Sequence, residues 1–270
     1  MTLADATLVD TATTPLLELR DIQAAYDGIN VLRGVDLVVP EATVVAVLGP
    51  NGAGKTTTLK VAAGLHPASG GDILVAGRRV NGARSDELAR HGLCLIPEGR
   101  GIFPNLTVRE NLWMMSHSRR RLHDIEEMTY ARFPRLRQRH TQMAGTLSGG
   151  EQQMLALARG LATEPALLML DELSMGLAPI VVEDLYQLVA SVAKEGVSIL
   201  VVEQFARIVM DVADWAAVMV QGRVTVTGRP RDLEETLSSA WSSRWSPTSC
   251  RTAPPTRCRS ATPSSWPSRA

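Results

Sequence analysis

The sequence predicts an α/β fold with a mostly parallel core sheet. Short aliphatic runs alternate with helix-like stretches along the chain, and this alternation is typical of a sheet whose parallel strands are joined by helices. Several of the runs are apolar throughout, as expected for strands that are covered on both faces. The candidate strands are Val44–Leu48, Ile73–Val75, Leu93–Ile96, Leu167–Leu170, Ile199–Val202 and Ala217–Val220.

Flanking strands and helices complete the expected domain. Leu16–Leu19 and Val35–Val39 are predicted as flanking strands. Two helices are expected after a Ser or Thr that precedes a Glu by three residues, which is the capping-box pattern, and one opens with Pro179. On that helix, Val181, Leu185, Leu188 and Val192 recur at helical spacing. The predicted helices are Thr57–Ala63, Val108–Met115, Glu151–Ala162 and the one that begins at Pro179.

Two regions differ in kind from this α/β pattern. Residues 104–145 show no strand pattern and contain many Arg, so we interpret them as a helical subdomain inserted into the sheet domain. Residues 238–270 contain 10 Ser, 5 Pro, 5 Arg and 3 Trp but no Leu, Ile or Val. A segment without aliphatic side chains buries too little to offset its ordering entropy, so we expect a disordered tail. Two explanations of this composition remain open: a tail that binds a partner, or loss of the reading frame near Leu237.

Composition excludes several classes of protein. The 270 residues carry 28 Lys plus Arg and 28 Asp plus Glu, and a protein that coats nucleic acid needs a basic excess. No apolar run is long enough to cross a membrane. Residues 1–14 lack the basic start and apolar core of a secretory signal, and we expect them to be a disordered tail. The three Cys and five His show neither a disulfide framework nor metal-ligand spacing.

A phosphate-binding motif follows the first inner strand. It matches the pattern G-x-x-x-x-G-K-[ST] between a strand and a helix, the context that makes the motif credible. Backbone N–H groups of such a turn surround phosphate oxygens, and the helix N-terminus adds positive potential. We expect Lys55 to reach the β- and γ-phosphates, Thr56 to ligate Mg²⁺ and Thr57 to contact the α-phosphate. The motif consists of Gly49, Pro50, Asn51, Gly52, Ala53, Gly54, Lys55 and Thr56.

Two carboxylates end another buried strand. Asp171 and Glu172 follow the apolar run Leu167–Leu170, and successive side chains near a strand end point in opposite directions. We therefore expect two roles. Asp171 would hold Mg²⁺ through water, and Glu172 would orient or deprotonate the attacking water.

A third motif connects the chain to a known family. Ser148, Gly149 and Gly150 precede Glu151-Gln152-Gln153 at a helix start, shortly before the strand that ends in Asp171. With the phosphate motif upstream, this order resembles the nucleotide-binding subunit of ATP-binding-cassette (ABC) transporters. The resemblance spans about residues 16–231 and implies an ABC ATPase domain over residues 15–237, with an antiparallel flanking β-subdomain. It also implies a head-to-tail pair of cassettes, in which the Ser148–Gly150 turn of one covers the γ-phosphate held by the other.

The family resemblance assigns further residues. Tyr26 matches the aromatic residue that stacks on adenine, and residues 174–179 match a loop that crosses the dimer interface. Glu98 stands where the family usually has a Gln that contacts Mg²⁺ and the attacking water. Gln204 stands where most members have a His that contacts the γ-phosphate.

These two unusual residues narrow the resemblance to a subfamily. The strings Pro97-Glu98-Gly99-Arg100 and Val202-Glu203-Gln204 are similar to those of an ATPase subunit of branched-chain amino acid importers, a group that also handles urea and short amides. This implies a peripheral subunit at the cytoplasmic face of the membrane. It would work with permease subunits, a second ABC ATPase subunit and, indirectly, a solute-binding protein.

The sequence departs from this subfamily pattern at three places. Leu173 replaces the usual Pro, Phe205 replaces a usual Asn, and the Ser-rich tail replaces a helical C-terminus. Two alternatives therefore remain open beside a transport ATPase. One is a soluble cassette that acts on DNA or ribosomes, and the other is a regulatory cassette with impaired catalysis.

Overall fold

A computed structural model describes residues 14–116, 121–204 and 209–233. The predicted tail at 238–270, Phe205, and the predicted N-terminal tail other than Thr14 lie outside these residues. The strands are β1 (Leu17–Tyr26), β2 (Ile29–Val39), β3 (Val44–Leu48), β4 (Gly70–Val75), β5 (Arg78–Arg79), β6 (Leu93–Ile96), β7 (Leu167–Asp171), β8 (Ser198–Glu203), β9 (Trp215–Val220) and β10 (Arg223–Gly228). The helices are α1 (Lys55–Ala62), α2 (Ser85–Arg90), α3 (Val108–Trp113), α4 (Leu122–Arg132), α5 (Pro134–Gln138), α6 (Gly149–Leu161) and α7 (Pro179–Lys194), with a 3₁₀ turn at Ala144–Thr146.

The core is a six-stranded sheet in the order β10-β9-β3-β8-β7-β6. Its strands pair in parallel except for β10, which runs antiparallel to β9 at one edge. Every residue of β3, β7 and β8 is buried, which explains why these strands are apolar almost throughout. The predicted α/β fold with a mostly parallel core sheet is confirmed.

A second sheet lies beside this core and is wholly antiparallel, with the order β2-β1-β4-β5. It provides the expected flanking β-subdomain. The prediction that counted Ile73–Val75 among the inner strands was wrong, because these residues belong to β4 of this sheet. An apolar run of three residues does not distinguish a strand of the parallel sheet from one of its neighbour.

The helices follow the predicted positions with shifted ends. α1 begins at Lys55, two residues before the predicted start, because Gly54 adopts the left-handed conformation (φ 105°) directly ahead of it. α6 begins at Gly149, since Ser148 is its N-cap. On α7, Val181 and Leu188 are only partly buried, whereas the buried face consists of Val182, Leu185, Tyr186, Val189, Val192 and Ala193.

Helices α3, α4 and α5 occupy the segment that was predicted to be helical, apart from residues 117–120, which lie outside the described part. α3 has the predicted capping box, in which the Thr107 hydroxyl oxygen accepts from the Glu110 N–H and the Glu110 carboxylate accepts from the Thr107 N–H. Asn111 on α3 is fully buried; its side chain accepts from the Phe103 N–H and donates to the Phe103 and Thr107 carbonyls. This side chain therefore fixes the loop that arrives from β6.

The register of α7 can be tested with two identical truncations. Leu185→Ala removes a side chain that is 1% exposed and should lower the free energy of unfolding by about 2–5 kcal/mol. Leu188→Ala removes a partly exposed side chain and should cost clearly less. Urea unfolding followed by circular dichroism measures both, and equal losses would contradict the buried face described here.

Candidate functional site

Residues 49–54 form a turn between the carboxyl end of β3 and the first residue of α1. The turn is held on both sides, because the Ala53 N–H donates to the Pro50 carbonyl (3.2 Å) and the Ala53 carbonyl accepts from the Gly222 N–H (2.8 Å). Gly52 and Gly54 have φ of +78° and +105°, conformations that favour glycine. The predicted phosphate cradle is thus a defined loop at a helix N-terminus, the arrangement that binds anions.

Position 49 leaves no space for a side chain. A Cβ atom added at this position would overlap the Met219 carbonyl oxygen of β9. The turn therefore leaves β3 directly against the neighbouring strand, and only a residue without a side chain fits there.

Lys55 connects the turn to the carboxylates at the end of β7. Its ammonium group is buried, donates to the Gly49 carbonyl (2.9 Å) and lies 3.5 Å from the Glu172 Oε1 atom. Glu172 has a left-handed backbone (φ 49°), and its N–H donates to the Val202 carbonyl of β8 (3.0 Å). Left-handed conformations cost a non-glycine residue free energy and cluster at functional sites.

Asp171 is buried at the centre of an acidic group. Its Oδ1 atom accepts a hydrogen bond from the Thr56 hydroxyl (3.0 Å), and the Glu98 backbone N–H also donates to its carboxylate. Burial raises the pKa of Asp171, and the negative charges of Glu172 and Glu98 raise it further. The carboxylate thus lacks sufficient positive charge around it.

These residues surround one pocket of about 410 Å³. Its lining combines the phosphate turn and the start of α1 with the loop after β6 and the residues after β7. The lining residues are Val31, Asn51, Gly52, Gly54, Lys55, Thr56, Thr57, Glu98, Glu172 and Met175.

The polar side chains at the end of β7 present mainly oxygen atoms, which are the ligand type that Mg²⁺ prefers. The Thr56 hydroxyl contacts the Asp171 carboxylate, and the charge of Glu98 acts on the same group. In the described part of the chain, no group of three His, Cys, Asp or Glu side chains is arranged to hold a metal ion. The donor set therefore fits a cation that takes its remaining ligands from phosphate oxygens and water.

Tyr26 lies outside the lining of this pocket. Its ring is stacked on His66, with centroids 4.0 Å apart and planes inclined by 19°, and the His66 Nε2 atom is 3.1 Å from the Ala25 carbonyl oxygen. Tyr26 is 39% exposed. From this sheet, Val31 reaches the pocket lining.

Gln204 follows β8 directly, and its neighbour Glu203 is paired with Leu48. Gln204 is therefore level with Gly49, the first residue of the phosphate turn. Glu203 itself is 1% exposed and accepts hydrogen bonds from the Ser174 N–H, the Ser174 hydroxyl and the Tyr186 hydroxyl. Sequence reasoning gave Glu203 no role, although a carboxylate that ends an otherwise apolar strand was a signal.

The Ser148–Gly150 turn begins α6 with the predicted capping box. The Ser148 hydroxyl oxygen accepts from the Glu151 N–H, while the Glu151 carboxylate accepts from the Ser148 N–H (2.9 Å). The same carboxylate pairs with Arg139 (2.5 Å). These bonds hold the pKa of Glu151 below its usual range against the opposing effect of burial, so the turn is firmly formed within this chain.

Arg100 connects the loop after β6 to this turn, a contact that sequence reasoning missed. Its guanidinium donates to the Gln152 side chain of α6 and lies against Gly149. Gln152 in turn donates to the Leu147 carbonyl (3.1 Å). Glu98 at the pocket is thus two residues from a side chain that contacts the start of α6.

The fold and this site define an ABC-type ATPase domain. Residues 32–174 match the ABC transporter family model. The chain therefore belongs to the ABC transporter family, as a nucleotide-binding and ATP-hydrolysing domain.

Particular relatives agree with this assignment. The chain is 38% identical over 217 residues to BraG of Pseudomonas aeruginosa, a high-affinity branched-chain amino acid transport ATP-binding protein, covering 78% of this chain and 91% of that relative. It is 30% identical to LptB of Haemophilus influenzae, a lipopolysaccharide export system ATP-binding protein, covering 81% and 92%. Among solved structures, the ADP conformation of the ABC transporter cassette MJ1267 has a TM-score of 0.76 and 24% identity, covering 84% of this chain and 96% of that one.

Subunits of this family work with membrane permeases. In this chain, none of the helices that the structure describes has the length and apolar character needed to cross a bilayer.

Substitution of Gly49 tests the turn itself. Gly49→Ala should displace the turn from β9 and weaken ATP binding by at least about tenfold, because the added methyl group has no space. Gly82→Ala is the control, since nothing lies within 4 Å of a Cβ added at Gly82, and it should leave ATP affinity unchanged. Calorimetric titration with ATP compares them; equal affinities would refute the steric requirement at Gly49.

Proposed function

We propose that this chain is the ATP-hydrolysing subunit of an importer for branched-chain amino acids or for related urea and amide solutes. The likeness to BraG over 91% of its length supports the cargo class. The strings Pro97-Glu98-Gly99-Arg100 and Val202-Glu203-Gln204 support the same subfamily, and Glu98 of the first lines the pocket. The convergence of Lys55, Thr56, Asp171 and Glu172 at one edge of the sheet is the observation that carries the ATPase function.

The ATP phosphates bind in the turn of residues 49–54. Backbone N–H groups and the α1 N-terminus face the phosphate oxygens, and Thr57 contacts the α-phosphate. When ATP enters, the Lys55 ammonium exchanges its contacts with the turn carbonyls for the β- and γ-phosphates. Catalysis of this kind depends on positioning and electrostatic stabilisation.

Thr56, Asp171 and Glu98 are the residues that would hold Mg²⁺. When bound, the ion neutralises charge on the phosphate oxygens. The raised pKa of Asp171 supports this assignment, since a neighbouring cation compensates a buried carboxylate that the protein leaves short of positive charge.

Glu172 positions the attacking water and accepts its proton. Its carboxylate lines the pocket and lies 3.5 Å from the Lys55 ammonium. Gln204, level with Gly49, contacts the γ-phosphate through its amide. Tyr26, which is 39% exposed, stacks on the adenine ring.

The complete site requires a second cassette subunit. The Ser148–Gly150 turn presents the N-terminus of the 13-residue helix α6, which suits it to cover the γ-phosphate held by the partner. The loop after β6 contacts both the pocket and α6 through Glu98 and Arg100, so it can relay closure to permease subunits. The assembly lies at the cytoplasmic face of the membrane and receives its solute from a binding protein.

An export ATPase is the second candidate. The 30% identity to LptB, which covers 92% of that relative, favours it. The mechanism within this chain is the same for both, and the direction of transport belongs to the permease.

The role of Glu172 is tested by Glu172→Gln. This change should preserve ATP binding and lower kcat by roughly 10²- to 10⁴-fold, because a positioned base is lost. The exposed Glu183 on α7 supplies the control Glu183→Gln, which should hydrolyse ATP normally. Phosphate release at saturating Mg-ATP measures both, and normal turnover of Glu172→Gln would remove the assigned role.

The cargo is tested in the assembled transporter. The chain should co-purify with permease subunits encoded beside it, and vesicles that contain the complex should accumulate labelled leucine, urea or a short amide when ATP is supplied on the cytoplasmic side. ATP-dependent release of lipid from the membrane without solute uptake would replace the importer by the export ATPase.

A further inference from the structure

A buried carboxylate at the end of β8 holds the loop that follows β7. Glu203 is 1% exposed, and its Oε1 atom accepts from the Ser174 N–H (2.9 Å) and the Tyr186 hydroxyl (2.6 Å). Its Oε2 atom accepts from the Ser174 hydroxyl (2.8 Å). Two of these three bonds come from Ser174 of the loop, and both carboxylate oxygens of Glu203 accept a hydrogen bond.

Val202, the residue before Glu203 in β8, holds the same loop at another point. The Val202 carbonyl accepts from the Glu172 N–H (3.0 Å). Residues 172–178, called here the post-β7 loop, are thus fixed at Glu172 and again at Ser174 by two successive residues of β8. Between these points, the Leu173 side chain is buried.

Glu203 and Tyr186 are shielded from water, whereas Ser174 at the loop is partly exposed. Tyr186 on α7 is 1% exposed. Burial raises its pKa well above the usual range, and the adjacent Glu203 charge raises it further, so its hydroxyl remains a donor to the carboxylate at neutral pH. Buried, fully hydrogen-bonded networks of this kind specify one geometry.

We propose that Glu203 is a positioning residue for ATP hydrolysis, which fixes the post-β7 loop relative to the end of β8. The proposal rests on the function given above for Glu172 and Gln204. Glu203 is connected to both residues. Gln204 follows it directly in the chain, and Ser174, which binds Glu203, lies two residues after Glu172. One carboxylate therefore sets the distance between the residue that orients the water and the residue that contacts the γ-phosphate.

The same loop reaches the start of α6. The Leu177 side chain lies against Gly149, so a displacement at Ser174 also changes the support of the Ser148–Gly150 turn. Misplacement of catalytic groups by about 1 Å lowers turnover by up to roughly 100-fold. Glu203 can therefore influence catalysis without touching the nucleotide.

Two single substitutions separate positioning from stability. Ser174→Ala and Tyr186→Phe each remove one hydroxyl group that donates to Glu203, but only the first loosens the loop. Ser174→Ala should lower kcat by roughly tenfold with an unchanged dissociation constant for ATP. Tyr186→Phe should lower the melting temperature of the chain while kcat stays close to that of the unmodified protein.

Replacement of Glu203 itself adds a rescue. Glu203→Ala removes all three bonds, whereas Glu203→Gln can keep them, because a serine hydroxyl both donates and accepts. The Gln variant should recover most of the kcat that the Ala variant loses. Amide hydrogen exchange of peptides that span residues 172–178 in the full-length chain should be faster in Glu203→Ala and Ser174→Ala, and unchanged in Tyr186→Phe.

The outcomes distinguish this proposal from the proposed function. Unchanged loop exchange in both Glu203→Ala and Ser174→Ala, or equal losses of kcat in Ser174→Ala and Tyr186→Phe, would overturn the positioning role. If the unmodified assembled transporter hydrolyses no ATP, the proposed function fails. The exchange comparison still decides whether Glu203 fixes the loop, since it requires no turnover.

Discussion

Backbone hydrogen bonds of the parallel ladder hold Leu48 opposite Glu203 and Asp171 opposite Val202. This register makes the carboxyl ends of β3, β7 and β8 level, so the phosphate turn, the acidic pair and Gln204 leave the sheet at one edge. A slip by one residue would invert the side chains of a whole strand. In β7 it would exchange the directions of Asp171 and Glu172, which have different partners. The site therefore depends on strand pairing before it depends on any side chain.

The electrostatic state of the site follows from this alignment. Glu98 and Glu172 line the pocket, and burial together with the negative charges of these two carboxylates raises the pKa of Asp171. The Lys55 ammonium lies 3.5 Å from Glu172, whereas Asp171 accepts a hydrogen bond of 3.0 Å from the uncharged Thr56 hydroxyl. Charges of one sign that are held close together in a buried site favour a cation of opposite charge.

The parts of this site that are local in sequence could be predicted from the sequence. The spacing of Gly49, Gly54 and Lys55 determines a turn followed by a helix, and Ser148 with Glu151 determines the start of another. Contacts between distant segments could not be predicted in this way. The pairing of Lys55 with Glu172, the bond from Arg100 to Gln152 and the stacking of Tyr26 on His66 depend on tertiary structure. The assignment of Ile73–Val75 to the parallel sheet failed for the same reason, because periodicity does not encode strand partners.

The post-β7 loop shows how the chain accommodates a departure from its family pattern. A proline at position 173 would fix φ and so restrict the loop through its covalent ring. Leu173 lacks that restriction, but its side chain is buried and its two neighbours are bonded to β8 through Val202 and Glu203. Burial of the Leu173 side chain and the hydrogen bonds of its two neighbours restrict the backbone that a proline ring would otherwise restrict. The departure at Leu173 is therefore compatible with an ordered loop, which argues against reading this residue as a sign of impaired catalysis.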